Sequence, residues 1–198
     1  MKEIILLRHG DTDATENHYF AGWSDIPLSK KGEKRIEAAK EILKNYEYLE
    51  IWSSPLIRTR QTAQIVVNST YSIHYTDDIK ERSFGEWEGK NWEALEYDFP
   101  DQVTKWRENP LEFTPPQGES YADVLRRVKR FWQILQGKSN GTFLVVTHAG
   151  VIRCLLILLT GMAFENSLHL LLDPGVIVKF REDSGFLQVT GIINHEDL

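Results

Sequence analysis

Strands alternating with helices predict an α/β fold for this chain. The expected form is a three-layer sandwich: a mostly parallel central sheet, helices on both faces, and a helical cap inserted over the carboxyl edge of the strands. Three observations carry that reading. The chain opens on an apolar run, Ile4-Ile5-Leu6-Leu7, with the length and branching of a strand buried on both faces. A second fully apolar, β-branched run lies far downstream, from Gly141 to Thr147. Between them is the clearest helical stripe in the sequence, made by Val124, Leu125, Val128, Phe131, Trp132 and Leu135.

The other elements follow in order. After the first strand comes a polar loop, Asp11 to Leu28, containing Gly22-Trp23-Ser24-Asp25 and Pro27. Ser29 caps a helix with Glu33 early and Ile36, Ala39 and Leu43 at helical spacing. A second strand is expected near Tyr48 to Trp52, breaking at Ser53-Ser54-Pro55. Serine as cap and proline at the first helical position start the next helix there, with Arg58 in its first turn. Ser72 to Tyr75 reads as a third strand. Ser120 and Asp123 form a capping pair for the helix described above. An apolar helix from about Val151 to Leu159 follows the Gly141 strand. The tail, Gly175 to Phe180 and Phe186 to Ile193, reads as a hairpin linked by Glu182-Asp183-Ser184-Gly185. The whole of 1–198 is expected to be one domain, with a cap-like insertion at about 83–119.

Composition narrows the function classes. The chain has 198 residues, 41% hydrophobic and 26% charged, enough to bury a full core. A net charge of −6 argues against a general nucleic-acid or membrane surface, although it leaves room for a local positive cleft. One cysteine, Cys154, excludes a disulfide framework or a cysteine metal cluster, and its apolar surroundings suit a buried structural thiol. The N-terminal apolar run breaks at Arg8, short of the roughly 7–15 residues of a signal-peptide core. Val151 to Phe164 carries Arg153 and is shorter than the roughly 20 residues of a bilayer span. A cytoplasmic location is the expectation.

In parallel sheets, ligands bind outside the carboxyl ends of the strands. Arg8 and His9 follow the first strand there, Arg58 follows the second, and His148 follows the Gly141 strand. Two arginines and two histidines at one sheet edge make a pocket for a dianion. Phosphate fits, because arginine presents a planar fork of donors and keeps its charge. No acidic pair or cysteine cluster stands at ligand spacing, so neither a metal nor another cofactor is expected. One histidine can then act as nucleophile if its ring is neutral and aimed by a hydrogen bond on the other nitrogen. Glu81, just after the third strand, can reach the same edge as an acid for the leaving group.

Four segments, in order, resemble the histidine phosphatase superfamily, also called phosphoglycerate mutase-like. They are LLRHGDT at the start, SSPLIRTRQTA around Arg58, KERSFGEWEG around Glu81, and VVTHAGVIR around His148. The resemblance runs over nearly the whole chain. It implies that His9 becomes transiently phosphorylated, that Arg8, Arg58 and His148 hold the phosphoryl group with Ala149 beside them, and that Glu81 is the proton donor and later activates water. It implies metal-independent, histidine acid-type phosphatase chemistry on a small phosphorylated metabolite, by a monomer or homodimer. One position departs from the family pattern: Thr15 stands where an asparagine is common, with Asn17 two residues on. His18, His74, His169 and His195 have no motif around them and are expected in packing or surface roles. His195-Glu196-Asp197 at the tail reads as a solvated terminus, not a metal site.

Phe84, Trp87, Trp92, Tyr97, Phe99, Trp106 and Phe113 crowd the stretch after Glu81, at about twice the 11% aromatic content of the chain. These rings are expected to pack the small core of a helical cap over the pocket; the alternative is that one or two of them line the substrate's organic part. The sequences Phe84-Gly85-Glu86-Trp87-Glu88-Gly89 and Pro116-Gln117-Gly118-Glu119-Ser120 resemble the alpha-ribazole phosphatase branch of cobalamin synthesis. Lys90, Lys105 and Arg107 are scattered among acids, which suits a substrate with one phosphate. The expected activity is therefore a phosphomonoesterase, with alpha-ribazole 5′-phosphate as the leading substrate. The alternatives are a phosphoglycerate mutase-type transferase, a broad-specificity or sugar-bisphosphate phosphatase, and a non-catalytic phosphometabolite sensor.

Overall fold

The computed structural model describes residues 1–67 and 71–194. The elements run β1 (Lys2–Arg8), α1 (Asp13–Glu16), α2 (Lys30–Leu43), β2 (Tyr48–Ser53), α3 (Ile57–Val67) and β3 (Ile73–Tyr75). They continue as α4 (Trp92–Asp98), α5 (Pro100–Glu108), α6 (Tyr121–Gln136), β4 (Gly141–Thr147), α7 (Ala149–Thr160), α8 (Phe164–Ser167), β5 (Ile177–Asp183) and β6 (Phe186–Ile193). Six strands form one sheet in the order β3-β2-β4-β1-β5-β6. The first four are parallel, and the β5–β6 hairpin adds the antiparallel edge.

Both faces of β1 are buried, which is why its apolar run is unbroken. Ile4 and Leu6 join Phe143, Val145 and Val178 beneath α6 and α7. Ile5 and Leu7 join Leu144 and Val146 beneath α2 and α3. Burial of each large aliphatic side chain contributes about 1.5–3 kcal/mol relative to exposure. Lys2, at the start of the strand, is buried too. Its ammonium donates to Leu135 O at 2.8 Å and Gln136 O at 3.0 Å, closing the carboxyl end of α6 where a cation is favourable. The other end of α6 has the expected capping box between Ser120 and Asp123.

The helix after β2 starts later than the sequence implies. α3 begins at Ile57, and Pro55 precedes it. The Ile57 amide donates to the Asp25 carboxylate at 2.5 Å, so the cap comes from the Asp11–Leu28 loop, a long-range partner that local reading cannot supply. In the terminal hairpin, β5 runs on to Asp183, leaving Ser184-Gly185 as a two-residue turn. Both turn residues have positive φ, 50° and 80°, as a type I′ turn requires.

Most aromatic side chains after Glu81 pack on one another, as expected. Trp87, Leu95 and Val103 are buried at the centre of that cluster, with Phe20, Phe84, Phe99, Trp106 and Phe113 around them. Asn91 caps α4 through the Ala94 amide at 2.9 Å, and Pro100 opens α5. Tyr97 points to solvent, 88% exposed.

One close approach fixes the loop that follows β1. Gly10 and Gly32 let that loop lie against the first turn of α2. A Cβ on Gly32 would sit 2.1 Å from Asp11 O, and one on Gly10 would sit 2.6 Å from Gly32 O. Replacing a helical glycine by alanine ordinarily stabilises by about 1 kcal/mol. Here the sign reverses. Gly32→Ala is expected to cost about 1–3 kcal/mol, as other overpacked sites do, read by urea unfolding. A variant as stable as the parent would show that this contact is not tight.

Candidate active site

Strand register brings the two histidines together. Arg8 pairs with Thr147 across the parallel β1–β4 ladder, and the His9 amide donates to Thr147 O at 3.0 Å. His9 and His148 are the next residues on each strand, so they leave the sheet side by side. Their ring centroids are 5.1 Å apart in an edge-on arrangement. His9 Nδ1 lies 2.7 Å from Gly10 O. A carbonyl can only accept, so Nδ1 carries the proton and Nε2 keeps its lone pair. Burial, reinforced by Arg58 and Arg8, holds the His9 ring well below its ordinary pKa of 6.5. Burial and Arg58 depress His148 in the same way. Both rings are neutral at pH 7.

Ser54 is the neighbour of His148. Its amide donates to Val146 O at 3.1 Å, continuing the β2–β4 pairing by one residue. Its hydroxyl is then 2.9 Å from His148 Nε2. The serine that the sequence suggested as a helix cap instead orients a histidine. His148 Nδ1 is buried and has no hydrogen-bond partner among the described residues.

The two arginines are held by carbonyls. Arg58 donates to Ser24 O at 2.8 Å and Gly22 O at 2.6 Å. Arg8 donates to Leu172 O at 2.5 Å, while its Nε is buried without a partner. Burial lowers Arg8 to about 10 and lowers Arg58 as well. Arg8 therefore stays charged at pH 7. Carbonyl partners fix a guanidinium without neutralising it, so positive potential is kept for a ligand.

Glu81 faces the start of α7. Its carboxylate accepts from the Arg82 amide at 2.8 Å and the Gly150 amide at 3.3 Å. A Cβ on Gly150 would stand 2.3 Å from Glu81 Oε1, so the glycine in His148-Ala149-Gly150 leaves space for this carboxylate. The Glu81 carbonyl is fixed from two directions, by Trp23 Nε1 at 2.8 Å and Arg127 Nη2 at 2.9 Å.

A cavity of about 210 Å³ opens above these groups. Arg8, His9, Arg58, Glu81 and Ala149 line it, with His148 buried next to His9. All six predicted site residues are thus brought together. Thr15 also lines the cavity, but its hydroxyl is engaged by the backbone of Thr12 at 2.8 and 2.9 Å. Asn17 bonds Asp13 instead. His74 packs on Trp52, and Cys154 is buried with its thiol pushed up to about 12, chiefly by burial. His195 lies outside the described residues.

Supporting residues escaped the sequence reading. Glu88 accepts from the amides of Trp23 at 2.9 Å and Ser24 at 2.8 Å, holding the loop whose carbonyls aim Arg58. Arg127 pairs with Glu119 at 3.0 Å and also donates to Lys80 O at 2.6 Å, bracing the segment that carries Glu81. Their signal was present only as charged residues on otherwise ordinary helix and turn positions. Tyr19, Phe20, Phe84, Tyr121 and Arg153 are among the other side chains that line the cavity.

Comparison with known proteins agrees with this geometry. The family model described as histidine phosphatase superfamily (branch 1) matches residues 4–194, and the chain belongs to that superfamily. It is an enzyme of the phosphatase or mutase kind, in a family whose typical substrates are small phosphorylated metabolites. It is 31% identical over 229 positions to the 2,3-bisphosphoglycerate-dependent phosphoglycerate mutase of Methanococcus vannielii, covering 98% of this chain and 96% of that one. It is 36% identical over 186 positions to a bifunctional protein of Mycobacterium tuberculosis, covering 91% of this chain and 50% of that protein, so it spans half that relative's length.

Among solved structures, the alpha-ribazole phosphatase of Shigella flexneri superposes with a TM-score of 0.90 at 24% identity, covering 98% of this chain and 96% of that one. At that identity the likeness speaks for the fold. The phosphoserine phosphatase of Entamoeba histolytica, in complex with 3-phosphoglyceric acid, superposes with a TM-score of 0.86 at 26% identity, covering 98% and 99%. Among the described residues, no helix is long and apolar enough to cross a membrane.

The depressed histidines set a pH dependence. Between pH 6.5 and their lower folded values, the unfolded chain binds two protons that the folded chain does not. Their contribution to stability is therefore complete above pH 6.5 and is lost as the pH falls. The expected slope is about 1.4 kcal/mol per pH unit for each ring. Ring-nitrogen NMR shifts should show both rings neutral at pH 6, alongside the falling urea-unfolding free energy. Protonation of either ring near pH 6.5 in the free protein would contradict this assignment.

Proposed function

We propose that the chain is a phosphomonoesterase that works through a phosphohistidine at His9. The observation that carries the proposal is the His9 ring itself: neutral, with Nδ1–H fixed on Gly10 O, in a cavity lined by Arg8 and Arg58. Nε2 attacks phosphorus as the bond from phosphorus to the ester oxygen breaks, and Glu81 gives its proton to the leaving alkoxide. In the second half, water passes a proton to Glu81 and attacks phosphorus. The N–P bond breaks, returning neutral His9 and inorganic phosphate. Arg8 and Arg58 stabilise the charge on the phosphoryl oxygens, the largest service a protein offers this reaction. His148 adds a neutral donor: with the Ser54 hydroxyl donating to Nε2, Nδ1–H is left for a phosphoryl oxygen. Ala149, at the first position of α7, brings the amino end of a twelve-residue helix to the same anion. These positive groups supply the charge compensation, and no metal enters the step.

Residues from about 83 to 119 serve as the cap of a single domain spanning 1–198, with Phe84 as its wall on the cavity. Within the phosphatase reading, alpha-ribazole 5′-phosphate is one candidate substrate. The mutase reading is supported by the 31% identity to the Methanococcus enzyme over almost its full length. The deciding experiment is phosphate release in EDTA from a panel containing alpha-ribazole 5′-phosphate, 3-phosphoglycerate and fructose 2,6-bisphosphate. Release from at least one member is expected. Silence across the panel, with bisphosphate-stimulated interconversion of phosphoglycerates, would establish the mutase instead.

His9→Ala is expected to abolish turnover and acid-labile labelling by a ³²P-ester while still binding phosphate. Substantial residual turnover would remove His9 as nucleophile. Glu81→Gln is expected to slow alkyl phosphates by about 10²–10⁴-fold, the usual worth of general acid–base catalysis. In single-turnover bursts, a nitrophenyl ester, whose leaving group needs no proton, should lose much less. An equal loss in that first step would count against Glu81 as the acid.

A further inference from the structure

Arg153 is the cation that the proposed chemistry leaves unused. It lines the same cavity as His9 and Glu81 and forms no ion pair or hydrogen bond with the described residues. Its Nη1 is shielded from solvent and has no hydrogen-bond partner. A shielded guanidinium nitrogen without an acceptor is costly and calls for one. Arg8 and Arg58, by contrast, are anchored on carbonyls.

Position on the helix defines what that acceptor can be. α7 begins at Ala149, beside the two histidines, and Arg153 lies four residues on. Residues four apart share a helix face, about 6 Å apart along the axis. Side chains lean toward the helix amino terminus, so the guanidinium reaches back over Ala149 and Gly150 toward the cavity. A further cation thus enters the cavity from a backbone position one helical turn beyond Ala149. Phe20, Phe84 and Tyr121 add aromatic side chains to the same cavity. The cavity volume of about 210 Å³ is below the ~300–1,000 Å³ typical of pockets for drug-sized ligands.

We infer that Arg153 is a specificity-determining residue that receives a second anionic group of the substrate, a carboxylate a few bonds from the phosphoryl ester. The preferred substrates are then small phosphorylated hydroxy or amino acids, and esters of an uncharged alcohol are poorer. The inference rests on the reading of this cavity as the substrate site. Arginine suits the task because its fork matches a carboxylate in a way an ammonium does not.

The test compares Arg153→Gln with the parent on two classes of ester. One class is 3-phosphoglycerate and phosphoserine. The other is alpha-ribazole 5′-phosphate and p-nitrophenyl phosphate, which lack a second anion. The ratio of kcat/KM between the classes is expected to fall about 10- to 100-fold, mainly through KM for the carboxylates, as loss of a charge-assisted pair predicts. Arg153→Lys should recover part of that ratio. An equal loss on both classes would show that Arg153 acts through Glu81 or through stability, and an unchanged ratio would show that it meets no substrate group. If the parent turns over no ester, the phosphatase reading fails, and calorimetric binding still decides this inference. 3-Phosphoglycerate must bind the parent more tightly than inorganic phosphate does, and Arg153→Gln must erase the difference; a difference that survives overturns it.

Discussion

The parallel pairing of β1 with β4 is the constraint on which the site depends. Arg8 opposite Thr147 is the last register pair, and the two histidines follow it by one residue. Because β4 also pairs with β2, the same rung places Ser54 beside His148. A slip of one residue in either ladder would turn every buried apolar side chain to the opposite face. The core on both faces therefore fixes the position of the histidines. The placement of the two histidines is here a by-product of packing Ile4 to Leu7 against Phe143 to Val146.

Electrostatics adds the second layer. The chain carries a net charge of −6, yet its cavity is positive, because the nearest partners of Arg8 and Arg58 are carbonyl dipoles. Glu81 is the carboxylate that shares the cavity with these arginines, and other acids act on the loops around it. Glu88 binds the amides of the loop that presents those carbonyls, and Glu119 pairs with Arg127. Two neutral histidines between two fixed cations cannot easily gain a proton, so both rings keep an unprotonated nitrogen at neutral pH.

Much of this was legible in the chain. The β1 and β4 runs announce doubly buried strands, and the residues just after them are the ones that meet. The α6 stripe and its Ser120–Asp123 box were read correctly because all their signals are local. Legibility ends where a partner comes from elsewhere in the chain. Asp25 caps α3 across 32 residues, so Ser54-Pro55 misled as a helix start. Arg127 looks like an ordinary helix residue until its three carbonyl acceptors around residues 78–81 are seen. Arg153 sits in an apolar helix whose sequence says only that the helix does not cross a bilayer.

These remote partners change what the segment after Glu81 does. Its aromatic cluster packs on itself, and Phe84 both joins that cluster and lines the cavity. The roots of the segment do more. Glu88 at one end governs the loop that holds Arg58, while Glu119 at the other accepts from the Ser83 amide at 3.0 Å and pairs with Arg127 beneath Glu81. Arg82 ties the ends together through Glu119 O at 2.6 Å and Phe113 O at 2.9 Å. A substitution that loosens the Trp87 core can thus reach Arg58 and Glu81 without touching either. Arg8, His9 and His148 come from the sheet edge and Arg58 from the first turn of α3, whereas the loop that aims Arg58 is tied to the segment that also lines the cavity through Phe84. Those two glutamates link the aromatic segment to the positions of Arg58 and Glu81, so the packing of the one and the geometry of the other are coupled.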